Sequence, residues 1–199
     1  MGTKLLVVAV AVVLATVAVP ARAQFNPLSM VTSAVEAAAE DRSTSDIASD
    51  TKTKGAIVAA IADKMGKAAA SITTDVYEAD VLLTGTVKSA AEKDQAGALA
   101  KGVAGVKKVV NELFVPPASD KSAAKEFADD TVIEKKLAAK LAAEKGVSHT
   151  NWRWHAVGGR VFLFGRALSK AESVKVEAIA KGTDGVTAVV NRAKVKPKK

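Results

Sequence analysis

An internal duplication constrains this chain more than any other feature of it. Laid over residues 156–195 without a gap, residues 76–115 are identical at 16 of 40 positions, at a constant offset of 80 residues. The matches cluster. They include Val81/Val161, Leu83/Leu163, Gly85/Gly165, Ser89/Ser169 and Glu92/Glu172. Two longer runs follow, Ala100-Lys101-Gly102 against Ala180-Lys181-Gly182 and Val109-Val110-Asn111 against Val189-Val190-Asn191. A repeat of this kind means one small module used twice.

Each copy reads as helix, strand, strand, helix, strand. Val81–Thr84 and Val161–Phe164 are short β-rich runs closed by a glycine. Ser89-x-x-Glu92 and Ser169-x-x-Glu172 then open a helix as capping boxes. In such a box the serine hydroxyl accepts from a free backbone N–H and the glutamate reaches back over the helix start. Gly102 and Gly182 stand where that helix stops, in the left-handed conformation that glycine adopts cheaply. Gly105 and Gly185 turn the chain into a valine-rich last strand.

This pattern resembles the BON domain, a small bacterial module. The residues that carry the resemblance are Val81-Leu82-Leu83-Thr84-Gly85, the helix start at Ser89, and Gly102-x-x-Gly105-Val106-x-x-Val109-Val110-Asn111. The second copy answers with Val161-Phe162-Leu163-Phe164-Gly165 and Gly182-x-x-Gly185-Val186-x-x-Val189-Val190-Asn191. The resemblance implies an α+β fold of two tandem α-β-β-α-β units. Each is a small mixed three-stranded sheet with two helices on one face. The expected layout is a signal peptide at 1–23, a lead-in at 24–50, units at 51–115 and 129–196, and a linker at 116–128. Asp41-Arg42-Ser43 and Asp129-Asp130-Thr131 resemble the dual-BON outer-membrane lipoproteins, which implies an envelope protein.

Units of roughly 65–70 residues sit near the lower limit for a self-sufficient core. The two are therefore expected to pack on each other or on flanking helix. Hydrophobic residues make up 49% of the chain but aromatic residues only 4%, so the core is built from small side chains. There is no cysteine, which removes disulfides, thiol chemistry and the acylated cysteine of a lipoprotein. The net charge of +8 suits anionic lipid or nucleic acid, and equally suits ordinary solubility.

Lys4, the apolar run Leu5–Val19 and Ala21-Arg22-Ala23 form a secretory signal cleaved before Gln24. An uncleaved anchor is the other reading, although the run is short against the ~20 residues a membrane span needs. The expected location is the periplasm, peripheral to the outer membrane. Export argues against a nucleic-acid partner. After the signal, Met30–Ala39 suits a short helix and Glu40–Asp46 an extended polar segment. Helices are expected over Thr53–Lys67 and from Thr131, whose Thr131-x-x-Glu134 is a third capping box.

In the second unit, Ile133, Leu137, Ala138 and Leu141 form the core face of the opening helix, with Lys135, Lys136 and Lys140 elsewhere. Such a helix can lie against anionic headgroups; a plain solvated face is the competing reading. In the relatives this resemblance brings in, the same helix contacts phospholipid. The positions that correspond are Val132, Lys135, Lys136 and Lys140. Val132 stands where those relatives carry a tryptophan, the better interfacial anchor.

His149–Ala156 is the most unusual stretch. As a strand turned at Gly158-Gly159, it pairs Ala156 with Val161, Trp154 with Leu163, His155 with Phe162 and Arg153 with Phe164. Trp154 then belongs to the core. Arg153, His155, Phe162 and Phe164 share the opposite face, an apolar sheet surface rimmed by cations. Its cover is the other unit, the lead-in, or an envelope protein partner.

No enzyme signature is present. His149 and His155 lie about 20 Å apart along an extended strand and cannot share a metal. No metalloprotease helix, nucleophile elbow or phosphate loop occurs. Asp129-Asp130 is read as a helix cap. No catalytic residue, cofactor or metal is assigned. Two functions stay open: a peripheral binder of anionic phospholipid that supports the envelope, and a soluble periplasmic stress-protective or protein-interaction module.

Overall fold

The computed structural model describes residues 40–117 and 123–196, with backbone alone over 123–128. The expected signal peptide and the helix expected at Met30–Ala39 lie outside the described residues. The first unit runs α1 (Thr44–Met65), a 3-10 turn (Gly66–Ser71), β1 (Ile72–Tyr77), β2 (Asp80–Gly85), α2 (Ala90–Lys101) and β3 (Lys108–Asn111). The second runs α3 (Ala123–Ala143), a 3-10 turn (His149–Asn151), β4 (Trp152–Val157), β5 (Arg160–Ala167), α4 (Lys170–Lys181), β6 (Ala188–Asn191) and β7 (Lys194–Val195).

In each unit the central strand pairs antiparallel with the strand before it and parallel with the one after the helix. The registers are those the alternation requires. Val76 faces Val81, and Arg153, Trp154, His155 and Ala156 face Phe164, Leu163, Phe162 and Val161. The second sheet departs from three strands. β7 adds beside the end of β5, where the first unit has only the bridge between Thr86 and Phe114.

Each unit keeps its own core. Ile57 and Ile61 of α1 meet Val81 and Leu83 of β2 and Ala96 and Ala100 of α2. Ile133, Leu137 and Leu141 of α3 meet Val161, Leu163, Val176, Ala180 and Trp152. Trp152 is the larger anchor at 1% exposure, while Trp154 is half-buried against the same core.

The expected helix starts are corrected. α1 begins at Thr44, because the Ser43 hydroxyl accepts from the Asp46 N–H at 3.1 Å. α3 begins at Ala123, so Thr131 lies inside the helix and is not its N-cap. At Ser89 and Ser169 the serine half of each capping box forms as read, while the glutamate bonds the residue before the cap. The serine oxygens accept from the Glu92 and Glu172 N–H groups at 3.2 and 3.0 Å. Glu92 and Glu172 accept from the Lys88 and Leu168 N–H groups. Gly102 and Gly182 do end their helices, but at φ −73 and −85°. The left-handed turn falls three residues later, at Gly105 and Gly185, both at φ 91°.

The repeat also extends outside the matched window. Asp50 of α1 accepts from the Glu78 and Ala79 N–H groups at 2.7 and 2.9 Å. Asp130 of α3, 80 residues on, accepts from Gly158 and Gly159 at 2.8 Å each. A helix carboxylate thus holds each hairpin turn, and Asp130 is not a helix cap. The first turn needs the help more, since Glu78 and Ala79 carry φ of 51 and 66°, a region that side chains resist. Charge-assisted hydrogen bonds contribute about 1.5–3 kcal/mol each. Asp130→Ala is expected to cost about 2–3 kcal/mol in urea unfolding and Asp50→Ala more, with Ala79→Gly restoring part of the second loss.

Candidate functional site

The alternation that aims Val81 and Leu83 at the helices aims Leu82, Phe162 and Phe164 the other way. The two sheets meet face to face on those side chains. Tyr77, Leu82, Phe162 and Phe164, at 0–3% exposure, form one cluster with Val110, Val157 and Val190 at its edge. The face of Arg153, His155, Phe162 and Phe164, expected among other readings as a partner surface, is therefore covered from within. Its cover is the first unit, together with residues 40–43.

The seam is ionic around its apolar centre. Asp75 meets His155 at 2.6 Å and Glu112 meets Arg192 at 2.6 Å. Asp80 meets Lys194 at 2.7 Å, and Glu78 meets Arg166 and Lys196 at 3.1 Å each. In these pairs every acid belongs to the first unit and every base to the second. Asp75/His155 and Glu112/Arg192 are also equivalent positions, 80 residues apart. Equivalent residues touching each other is the contact pattern of a two-fold axis.

Residues 40–43 lie across one end of the seam. Glu40 binds Arg42 and Arg153, and Arg42 also reaches Asp50. The Arg42 guanidinium sits 4.0 Å from the Tyr77 ring centre, a cation over an aromatic face. The Asp41 N–H donates to Asn151 at 3.0 Å, and its carboxylate accepts from the Asn151 amide at 3.2 Å. Arg166 donates to the Asp41 carbonyl. The segment read as extended lead-in thus ties both units together.

His155 is the ionisable group at the centre of this network. Burial pulls its pKa down, but hydrogen bonds with Asp75 and Glu134 and their charges overcome this and raise it to about 9. Burial pushes the Asp75 carboxyl up, but His155 and Lys54 hold it well below the usual range. A histidine raised on folding stabilises fully below its ordinary pKa of 6.5 and loses that contribution as pH rises through about 9. Asp75 acts in the opposite sense, contributing above its ordinary 3.8 and failing only in strong acid. Melting temperature is therefore expected to fall from pH 7 to 9.5 more steeply in the native protein than in His155→Gln.

On the outer side, α3 carries Val132, Lys135, Lys136 and Lys140 on its exposed surface, away from Ile133, Leu137 and Leu141. Val132 is 51% exposed. Lys136 approaches Asp184 at 3.4 Å and Lys140 donates to the Gly182 carbonyl at 2.8 Å. Both contacts are exposed and worth little against solvent. The first unit has Gly55, Ala56 and Ala60 at the positions equivalent to the three lysines, and Lys52 at the position equivalent to Val132, so the three-lysine cluster belongs to the second unit.

The BON domain model matches residues 49–117 and 129–197. The chain belongs to the BON-domain family. A relative from Anaplasma centrale, an uncharacterised protein, is 38% identical over 65% of this chain and 84% of its own. Osmotically-inducible protein Y of Escherichia coli is 35% identical over 70% of this chain and 69% of its own. Outer membrane lipoprotein DolP of Haemophilus influenzae is 32% identical over 64% of each chain.

Sequence reading brought Arg153, His155, Phe162 and Phe164 to one face of this BON pair and offered the other unit or the lead-in as its cover, but not the residues that meet them: Glu40, Asp75, Tyr77 and Leu82. A signal was present. The same offset of 80 sets Asp75 against His155 and Glu112 against Arg192, a reversal of charge at two matched positions.

Proposed function

We propose that this chain is a non-enzymatic periplasmic envelope protein that associates reversibly with anionic phospholipid through α3 of its second unit. The observation that carries the reading is the exposed face of Val132, Lys135, Lys136 and Lys140, whose three lysines answer to Gly55, Ala56 and Ala60 in the first unit while Val132 answers to Lys52. A basic helix face lying on a membrane surface gains about 1 kcal/mol per lysine, screened by salt. Valine anchors weakly in the interface, so charge dominates the contact. No described helix is long and apolar enough to cross a membrane, and the contact is peripheral. Similarity to an outer-membrane lipoprotein and an osmotically inducible protein supports the envelope setting.

Co-sedimentation with vesicles containing phosphatidylglycerol is expected to show binding that weakens between low and physiological salt and is absent on phosphatidylcholine. Reversing Lys135, Lys136 and Lys140 to Glu should weaken it at least a hundredfold, from about 1 kcal/mol per lysine. Binding that survives this change places the contact elsewhere. No binding at either salt favours the second reading, a soluble stress-protective module, to which the likeness to osmotically-inducible protein Y lends weight.

A further inference from the structure

The two ends of the seam are not alike. One end is closed by Glu78 with Arg166 and Lys196, by Asp80 with Lys194, and by residues 40–43. The repeat offset maps these partners at the other end onto Gly158 with Thr86 and Pro116, and onto Arg160 with Phe114. No ion pair can form between such residues. Where the pairing lapses, the sheets leave a cleft of about 380 Å³. Phe114, Val115, Val157 and Phe162 give it apolar walls, and Lys93 and Arg160 give it cations. Phe114 is 41% exposed. Among the described residues neither Lys93 nor Arg160 has an ion pair, while Glu112, the acid in the wall, already holds Arg192 at 2.6 Å. The cleft therefore carries uncompensated positive charge beside an exposed aromatic ring.

We propose that this cleft binds a small anionic amphiphile, its alkyl body against Phe114 and Val157 and its carboxylate or phosphate head on Arg160 and Lys93. The volume falls in the range of about 300–1,000 Å³ typical of small-ligand pockets. The planar guanidinium fork matches a carboxylate or phosphate with two parallel hydrogen bonds. A space of this size admits one chain and no bilayer, so the site is separate from the lysine face of α3 and stands without it.

The test titrates the full chain with decanoate below its micelle concentration. Acetate serves as a head without a body, and decyl maltoside as a body without the charge. Calorimetry and amide chemical shifts provide the readout. Saturable one-to-one binding of decanoate is expected, with the largest shifts at Phe114, Val115 and Val157 and no saturable binding of acetate. Decyl maltoside and the Arg160→Glu variant should each bind at least tenfold more weakly. Arg160 is exposed, and an unchanged urea midpoint will show that the variant folds; Phe114→Ser provides an independent second variant with the same expected loss. The α3 triple reversal should leave decanoate binding intact, which separates this site from vesicle binding. Absence of saturable binding, equal affinity for decyl maltoside, undiminished affinity in Arg160→Glu, or loss in the α3 variant overturns the proposal. Decanoate and decyl phosphate compared side by side then tell a carboxylate ligand from a phosphate one.

Discussion

Gly165→Ala is expected to destabilise the protein by about 3–4 kcal/mol, read from the urea midpoint. A Cβ on Gly165 would stand 2.2 Å from the Asn151 carbonyl oxygen, and the residue sits at φ 108°. Its counterpart Gly85, at φ 114°, would bring a Cβ within 2.0 Å of the Ser71 carbonyl. Both obstacles are backbone, so relief requires the hairpin to move. A backbone held in a region closed to side chains costs about 1–3 kcal/mol by itself, and displacing the neighbouring strand adds to that. Gly102→Ala is the control. Gly102 has φ −73°, and its nearest new contact would be an ordinary 3.5 Å. It should change stability by no more than about 0.5 kcal/mol. Equal losses at Gly165 and Gly102 would mean that helix ending, and not close approach in the hairpin, is what glycine supplies to this fold.

Phe164→Ala is expected to cost about 3 kcal/mol and to divide one unfolding transition into two. Phe164 is 3% exposed and packs with Tyr77, Leu82 and Phe162 between the sheets, outside both unit cores. Truncating it removes adhesion between the units while each keeps its own apolar cluster. Calorimetry should resolve the two units as separate transitions, and Phe164→Leu should preserve a single one. A single transition in Phe164→Ala would mean that the ion pairs around the rim hold the units together without the aromatic centre.

The fold was legible because its signals are local and occur twice. The valine runs, the boxes at Ser89 and Ser169 and the turn at Gly158-Gly159 each report on a few neighbouring residues. The helix starts were not. α1 starts at the Ser43 cap, well before its buried Ile57 and Ile61, and both helices extend far enough to carry Asp50 and Asp130, whose partners are hairpin turns 28 residues further on. Gly102 shows a subtler failure. The helix stops where glycine suggested, but the left-handed residue is Gly105, because the chain first makes a further tight turn in which the Val106 N–H bonds the Val103 carbonyl at 3.2 Å. The aromatic face at Phe162 and Phe164 was visible as a surface in need of cover. The choice of cover depends on contacts between residues of different units, far apart in sequence, which no periodicity reports.

The sign of charge along the seam has a consequence for the protein among its own copies. A module that pairs with its twin is a natural link in an endless chain, since each molecule presents two such faces. Here two first units meeting alike would set Asp75 on Asp75 and Glu112 on Glu112, and two second units would set Arg192 on Arg192. Only unlike halves fit, and the unlike half lies in the same molecule. Pairing of like units between copies is therefore disfavoured by charge.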